Sequence, residues 1–473
     1  MSDAFGDMPA WLVSLVFHLV VLTLLGLLKI GDDQEGPYIT LSSTVSKDVR
    51  EGGDEVVVDP SNELAFDLPV PKEIDLSNAT QREAFARADQ EARELRLDPD
   101  AVDPHLPDLN RIKQTIRQRS GIPKTLAVRD PRIRVEMVKR EGGTTLTEAA
   151  VARGLRWLAK HQSKDGSWSL DRYNRSSGCT CSGAGLHSDA AGTSLALLPY
   201  LGAGQTHLVG RYQEEVSRGL RWLIENQKPN GDLRADSHGN AGMYAHGQAA
   251  IVLCEAFLMT GDEAFRAPAQ KAIDFIVEAQ HPGGGWRYSP GEAGDTSVAG
   301  WQLMALQSAR AVNLTVPEET FELASHYLDS VQSQGGSRYA YRPGNGPTHV
   351  MTAEALLCRI YLGWNQQTPG YSEGIQYLTD DALPDARRTN FYYWYYGTQT
   401  LHHHGGQSWD RWNRRIREIL VESQKRRGHA AGSWDPRGPH ANGGGRIYVT
   451  SLAVCTLEVY YRHLPIFRQI ELE

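Results

Sequence analysis

Two places in this 473-residue chain concentrate side chains able to do chemistry. The first is Cys179-x-Cys181, followed by His187 and Asp189: two thiols, an imidazole and a carboxylate within eleven residues of a Gly/Ser-rich stretch. These are the donor types that zinc takes, and a loop of small residues lets them converge. Zinc, held by Cys179, Cys181 and His187, is therefore the one cofactor suggested. The C-x-C spacing is tighter than that of most zinc sites, and a loop with free thiols is the competing reading.

The second is a series of polar and aromatic residues that open apolar stretches. They are Asp189; Tyr244 with His246; Asp295 with Thr296; Thr348 with His349; Trp394 and Tyr395 in the run 392–396; and Arg446 with Tyr448. Asp295, Asp189, His246 and His349 are the candidate catalytic groups, because carboxylates and imidazoles are the common general acids and bases. A pair such as Asp189 and Asp295 could act on a glycosidic bond at a separation of roughly 5–10 Å. Tyr244, Thr296, Trp394, Tyr395, Arg446 and Tyr448 are the candidate cavity lining. Helix capping is the competing role for Asp189 and Asp295, since Asp is a preferred N-cap.

The elements that position these residues form a repeat. The segments RGLRWLAKHQSKDGSW (153–168), RGLRWLIENQKPNGDL (218–233) and KAIDFIVEAQHPGGGW (271–286) share one layout. A basic residue and a small residue precede an aromatic–aliphatic pair, then a Gln, then Gly-x-Trp; Leu233 replaces the Trp in the second copy. Weaker copies are 326–339, 373–378 and 417–434, the last with a longer gap after its Gln. The repeat residues are Gln162, Trp168, Gln227, Gln280, Trp286, Gln424 and Trp434. Between copies lie apolar stretches of helical length: 193–201, 246–259, 296–312, 350–362, 392–401 and 449–461. Six helix pairs of about 50 residues each predict an all-α ring, an α6/α6 toroid, in which stacking buries each unit's apolar face. The Gly lets the chain turn sharply, the Trp covers the helix end, and the Gln satisfies backbone groups there.

Upstream the composition changes. Residues 10–28 carry no charge, enough at 1.5 Å per residue to span a bilayer core of ~30 Å. The acidic start and the exit Lys29-Ile30-Gly31-Asp32 lack the marks of a cleaved leader, so 1–30 is read as a single-pass membrane anchor. Ser14 and His18 lie four apart on one face of this run, and an ionisable residue inside a span is a candidate coupling site. Residues 31–147 form a connector, partly disordered and partly helical, with helices expected over 78–97 and 109–119. Its 31–110 part carries net charge −13 and its 111–140 part +8. The basic block could meet anionic lipid or the ring's acidic surface, or stand solvated. The ring domain is expected over 148–465, with 466–473 as a tail.

Composition sets outer bounds. A net charge of −8 argues against a nucleic-acid binder. A 40% hydrophobic content with 11 Trp argues against wholesale disorder, and five cysteines rule out a disulfide scaffold.

The repeat resembles the QW motif of the squalene-hopene and oxidosqualene cyclase family, within the wider prenyltransferase/squalene oxidase repeat. The resemblance covers about 148–465 and implies inner helices lining a central cavity. Class II cyclases of that family protonate substrate with a D-x-D-D motif, whereas Gly294-Asp295-Thr296 offers one carboxylate. In prenyltransferase β subunits Asp295 and His349 would correspond to two zinc ligands, but Ser297 stands where a Cys is needed. The thioester motif of complement-like toroids is absent; Cys254-Glu255-Ala256 does not replace it. The Ser14/His18 pattern resembles the anchor of TonB-type energy transducers, whose soluble part is periplasmic. Lys29 alone argues for the opposite side.

The expectation is a membrane-anchored ring that binds a lipid, isoprenoid, glycan or peptide at its cavity. Its partners would be the bilayer, an envelope or inner-membrane protein, and a small hydrophobic ligand. The alternatives are an Asp295-dependent cyclase or prenyltransferase, and a glycan-active enzyme using Asp189 and Asp295.

Overall fold

The computed structural model describes Arg129 and residues 131–175, 179–463 and 465–467. The expected anchor with Ser14 and His18, the expected helices at 78–97 and 109–119, and most of the connector lie outside the described residues. Among the described residues, no helix is long and apolar enough to cross a membrane.

Six of the described helices are apolar on nearly every side: α3 (Asp189–Gly202), α5 (Gly242–Thr260), α7 (Thr296–Ala311), α9 (His349–Tyr361), α11 (Phe391–His404) and α13 (Ala441–Leu457). A helix without a polar face has to be buried all round; α5 buries 15 of its 19 residues. Each of the six packs on the next, and α13 packs back on α3, so they close into an inner ring. Six amphipathic helices surround it: α2 (Thr145–Lys160), α4 (Gln213–Glu225), α6 (Arg266–Glu278), α8 (Glu318–Ser330), α10 (Tyr371–Asp381) and α12 (Gly406–Ser423). Only four of the 13 residues of α4 are buried, on one stripe. The outer helix α2 packs on α12 and α13, so the outer layer also joins its last unit to its first.

The Gln–Gly–Trp turns weld neighbouring units. Gln162 Nε2 donates to Gly166 O in its own turn (2.8 Å) and to Glu215 O in the next outer helix (2.9 Å). Gln227 does the same to Gly231 and Pro268, and Gln280 to Gly284 and Thr320. Gln424 donates to Gly432 O and to Ala150 O in α2, which carries the pattern across the closure. The leading basic residue has a role too: Arg218 and Arg153 donate to the Oε1 atoms of Gln162 and Gln424. The indoles of Trp168, Trp286 and Trp434 donate to the C-terminal carbonyls of Leu158, Ile276 and Leu420, groups a helix end leaves unpaired. Gly231 and Gly284 adopt φ +89° and +88°, and a Cβ at either would lie within 2 Å of a carbonyl of the next outer helix, so no other residue fits there.

The fourth and fifth copies depart from this plan. Gln332 lies in a two-residue strand, β1 (Gln332–Ser333), paired antiparallel with β2 (Arg338–Tyr339), and its Oε1 is 3.4 Å from Arg359 Nη2. After α10 the chain runs through 386–388 directly to Asn390, which caps α11.

The helical unit extends upstream of residue 148. Helix α1 (Pro131–Arg140) packs on the short α14 (Val459–Arg462), and α14 packs on α11 and α13. Two arginines of the basic block are buried in ion pairs, Arg129 with Glu255 (3.1 Å) and Arg134 with Glu148 (2.7 Å). That end of the ring is thereby stoppered: Arg462 bonds both oxygens of Glu255 and the carbonyl of Leu198.

Candidate functional site

At the opposite end, where the inner helices begin, hydroxyl groups from four elements converge on Asp295. Asp295 caps α7: its Oδ1 accepts from Val298 N (2.8 Å) and Ser297 Oγ (2.9 Å), and its Oδ2 from the Tyr341 hydroxyl (2.9 Å). Because Tyr341 spends its proton on Asp295, it accepts from Tyr288 (2.7 Å); because Ser297 does likewise, it accepts from Tyr244 (2.6 Å). The result is a directed chain, Tyr288 to Tyr341 to Asp295 from one side and Tyr244 to Ser297 to Asp295 from the other. Burial raises the Asp295 pKa, opposed by these donors and by Arg287, whose Nε is 3.5 Å away. Tyr244, Tyr288 and Tyr341 are half-buried, packed against the core, and the Arg287 guanidinium lies over the Tyr288 ring at 4.6 Å.

Sequence reasoning missed the second acid of this site. Glu354 of α9 is fully buried, and burial, together with the nearby Asp295 charge, pushes its pKa well above the usual range. Its Oε1 is 2.8 Å from the Tyr392 hydroxyl, which also lies 3.1 Å from the Ser297 carbonyl. The Tyr392 hydroxyl donates to Glu354 Oε1, with the Ser297 carbonyl as a second acceptor. Gly300 makes room for the group, since a Cβ there would lie 2.1 Å from Glu354 Oε1. Burial shifts both carboxyls upward, Glu354 strongly. The available signal was a lone Glu in the apolar stretch 350–362, which reads as an ordinary surface position of a helix.

The other candidates are placed differently. Asp189 does not cap α3: Ser188 accepts from Ala191 N, and Asp236 accepts from the amides of Asp189 and Ala190. Asp189 instead pairs with Arg172 (2.5 Å). His246 is fully buried with both ring nitrogens engaged by backbone: Nδ1 accepts from Leu233 N and Nε2 donates to Ala272 O. Burial lowers its pKa to about 4, so it is a neutral staple that cannot exchange a proton with a ligand. His349 stacks on Tyr377 of α10 at 4.0 Å, on the outer layer, so it does not join Asp295 as a metal ligand. Thr296 is buried, its hydroxyl donating to Ala340 O. Trp394 packs edge-on against Phe391.

Tyr395 does not line open space. It stacks on Trp301 of α7 (5.6 Å, 13° between planes), and both rings are at most 2% exposed, so aromatic side chains fill the ring interior at this level. Tyr448 is 9% exposed near Gly444. Arg446 is spent on structure, donating to Ser182 O, Ser433 Oγ, Trp434 O and Asp435.

The expected metal-ligand set is divided. Cys179 and Cys181 meet His161 and His429, all four ligand atoms lying within 4.8 Å of one another. His187 lies instead between Asp171 (3.2 Å) and Asp236 (3.4 Å). His161 immediately precedes the repeat Gln162, and His429 sits in the long gap of the last copy; only the fold brings them to the cysteines. Cys181, His429 and Arg446 also line a cleft of about 550 Å³, with Lys425, Arg427 and Arg437 on its rim.

Comparison with known proteins agrees with this architecture. The Squalene-hopene cyclase C-terminal domain model matches residues 135–247. The squalene–hopene cyclase of Bradyrhizobium diazoefficiens is 26% identical over 222 residues, 43% of this chain and 32% of that protein. The chain therefore spans about a third of that relative's length. Among solved structures, a type II terpene cyclase from Scytonema matches over 67% of this chain and 97% of its own, at 12% identity and TM-score 0.46. The GH76A alpha-1,6-mannanase from Salegentibacter sp. HEL1_6 matches over 67% of this chain and 98% of its own, at 10% identity and TM-score 0.47. The chain carries a squalene-hopene-cyclase-like helical ring.

Proposed function

We propose that this chain is a membrane-tethered binding module which takes a carbohydrate at the tyrosine-ringed mouth, and that it is not a polycyclising enzyme. The observation that carries this reading is the directed hydroxyl chain ending on Asp295. The half-buried Tyr244, Tyr288 and Tyr341, with the half-buried Arg287 and Arg342, are the aromatic and polar groups a sugar would meet there. Six helix N-termini facing one mouth add a positive field suited to oxygen-rich ligands. The uncharged run 10–28 supplies the tether, and an envelope glycan would lie within its reach.

Two observations weigh against cyclisation. Both Asp295 oxygens already accept hydrogen bonds, and a carboxylate so satisfied is a weak proton donor. The Trp301–Tyr395 stack fills part of the ring interior.

The test is a fluorescence titration of the full chain in detergent with soluble cell-wall oligosaccharides and, separately, with squalene. Saturable quenching by an oligosaccharide, weakened about tenfold in Tyr341→Phe by loss of one charge-assisted hydrogen bond, is the expected result. Conversion of squalene to a polycyclic product would overturn it.

A further inference from the structure

We infer that His161, Cys179, Cys181 and His429 bind one zinc ion that clasps the first repeat to the sixth. This does not depend on what the mouth binds. His161 ends α2, the cysteines lie on the loop between α2 and α3, and His429 lies in the turn after α12, so the ligands join the first outer unit to the last. The sulfur–nitrogen distances are 3.1 Å (Cys179–His161), 3.0 Å (Cys179–His429), 3.8 Å (Cys181–His161) and 3.6 Å (Cys181–His429). A tetrahedral zinc with bonds of ~2.3 Å to sulfur and ~2.0 Å to nitrogen requires edges of about 3.5 Å, and these four bracket that value.

The surroundings are those of a prepared site. His161 Nδ1 donates to Trp157 O at 2.6 Å, which fixes the tautomer and turns the Nε2 lone pair toward both sulfurs. Trp157 and Tyr173 wall the imidazole, with ring centroids at 4.1 and 5.6 Å. The cysteine loop is pinned on both sides. Asn174 donates to Cys181 O, Tyr173 to Ser182 O, and the Arg446 amide to Gly183 O. Gly185 abuts Gly443 O so closely that a Cβ would stand 2.5 Å from it.

Two thiolates and two neutral imidazoles cancel the charge of Zn²⁺ and fill its four positions. A filled shell marks a structural site, not a catalytic one. Its position explains its use. A ring assembled from sequential units has one joint that chain connectivity does not make, between the last unit and the first. Gln424 and Arg153 hold that joint by hydrogen bonds, and the metal would lock it.

The experiment measures metal in the full chain purified without chelator, by native mass spectrometry and elemental analysis, with X-ray absorption for the ligand set. The expected result is one zinc per chain with two sulfur and two nitrogen neighbours, and loss of at least nine-tenths of the metal in Cys179→Ser and in His429→Ala. His187→Ala, which alters the neighbouring cluster, should keep its zinc. Should the Ser variant fail to fold, His429→Cys decides the question, because it should retain metal with three sulfurs and one nitrogen. A metal-free chain, zinc retained in both Cys179→Ser and His429→Ala, or a Cys179–Cys181 disulfide in the native protein would overturn the proposal.

Discussion

Glu255 and Glu354 are both buried on inner helices, at opposite ends of the ring, and their surroundings shift their pKa values in opposite directions. Glu255, near the end of α5, is bonded by Arg129 and Arg462. Burial alone would raise its pKa, but the two guanidiniums outweigh it and hold the carboxyl below the ordinary range. Glu354, early in α9, has no cation beside it, only the Tyr392 and Tyr396 hydroxyls and the repelling charge of Asp295, and is pushed well above. The same side chain is shifted toward its ionised form at the stoppered end and toward its neutral form at the mouth. What separates these two glutamates is direct hydrogen bonding by two arginines, Arg129 and Arg462, which Glu255 has.

The largest effect should come from breaking the anion. Glu255→Gln leaves two buried guanidiniums without their shared counter-charge, and chemical denaturation should show a loss of about 3–5 kcal/mol. The pH dependence has a definite sign. A carboxyl with a lowered folded-state pKa stabilises above its unfolded value, near 4.3, and that stability is lost as pH falls through the lower folded value. Acid unfolding should therefore be steeper in the wild type than in Glu255→Gln.

Gln424→Ala should rank next. It removes two hydrogen bonds to backbone carbonyls at the joint between last and first units and the acceptor of Arg153 Nε, for a loss of about 1–3 kcal/mol in the same measurement. Tyr341→Phe at the mouth should cost only about 1 kcal/mol of stability, because Asp295 keeps its other donors, while weakening ligand binding far more.

Glu354→Gln should be the mildest, under about 1 kcal/mol at acidic pH, because Gln copies a neutral carboxylic acid and its Oε1 can still accept from Tyr392. Here the sign reverses. A raised folded pKa means the wild type is most stable below the unfolded value and loses stability as pH rises, so the variant should gain on the wild type from about pH 4.3 upward. A Glu354→Gln variant as damaged as Glu255→Gln would break the comparison.

The repeat was legible because it is local. Glutamine, glycine and tryptophan at fixed spacing do their work within one turn and the next outer helix, and each of the six apolar stretches falls on an inner helix, the last (449–461) starting eight residues late and running into α14. Asp295 read as a cap and is one; Asp189 read the same way, yet Ser188 next to it took that role and Asp236 supplied the second acceptor. Illegible were the roles set by distant partners. Glu354 looks like any solvent-facing helical acid until Gly300 of α7 and Tyr392 of α11 close around it. His161 and His429 are separated by most of the ring, and no spacing rule joins them to a C-x-C loop. His246 looked poised for chemistry because its consumers, Leu233 N and Ala272 O, are backbone atoms that leave no trace in sequence.

The most direct test of the central claim is infrared spectroscopy of the protonated-carboxyl band in the full chain at neutral pH, comparing wild type with Glu354→Gln and Glu255→Gln. The account predicts that a carboxylic-acid band disappears in Glu354→Gln and persists unchanged in Glu255→Gln. Loss of such a band in Glu255→Gln, or its full retention in Glu354→Gln, would contradict it.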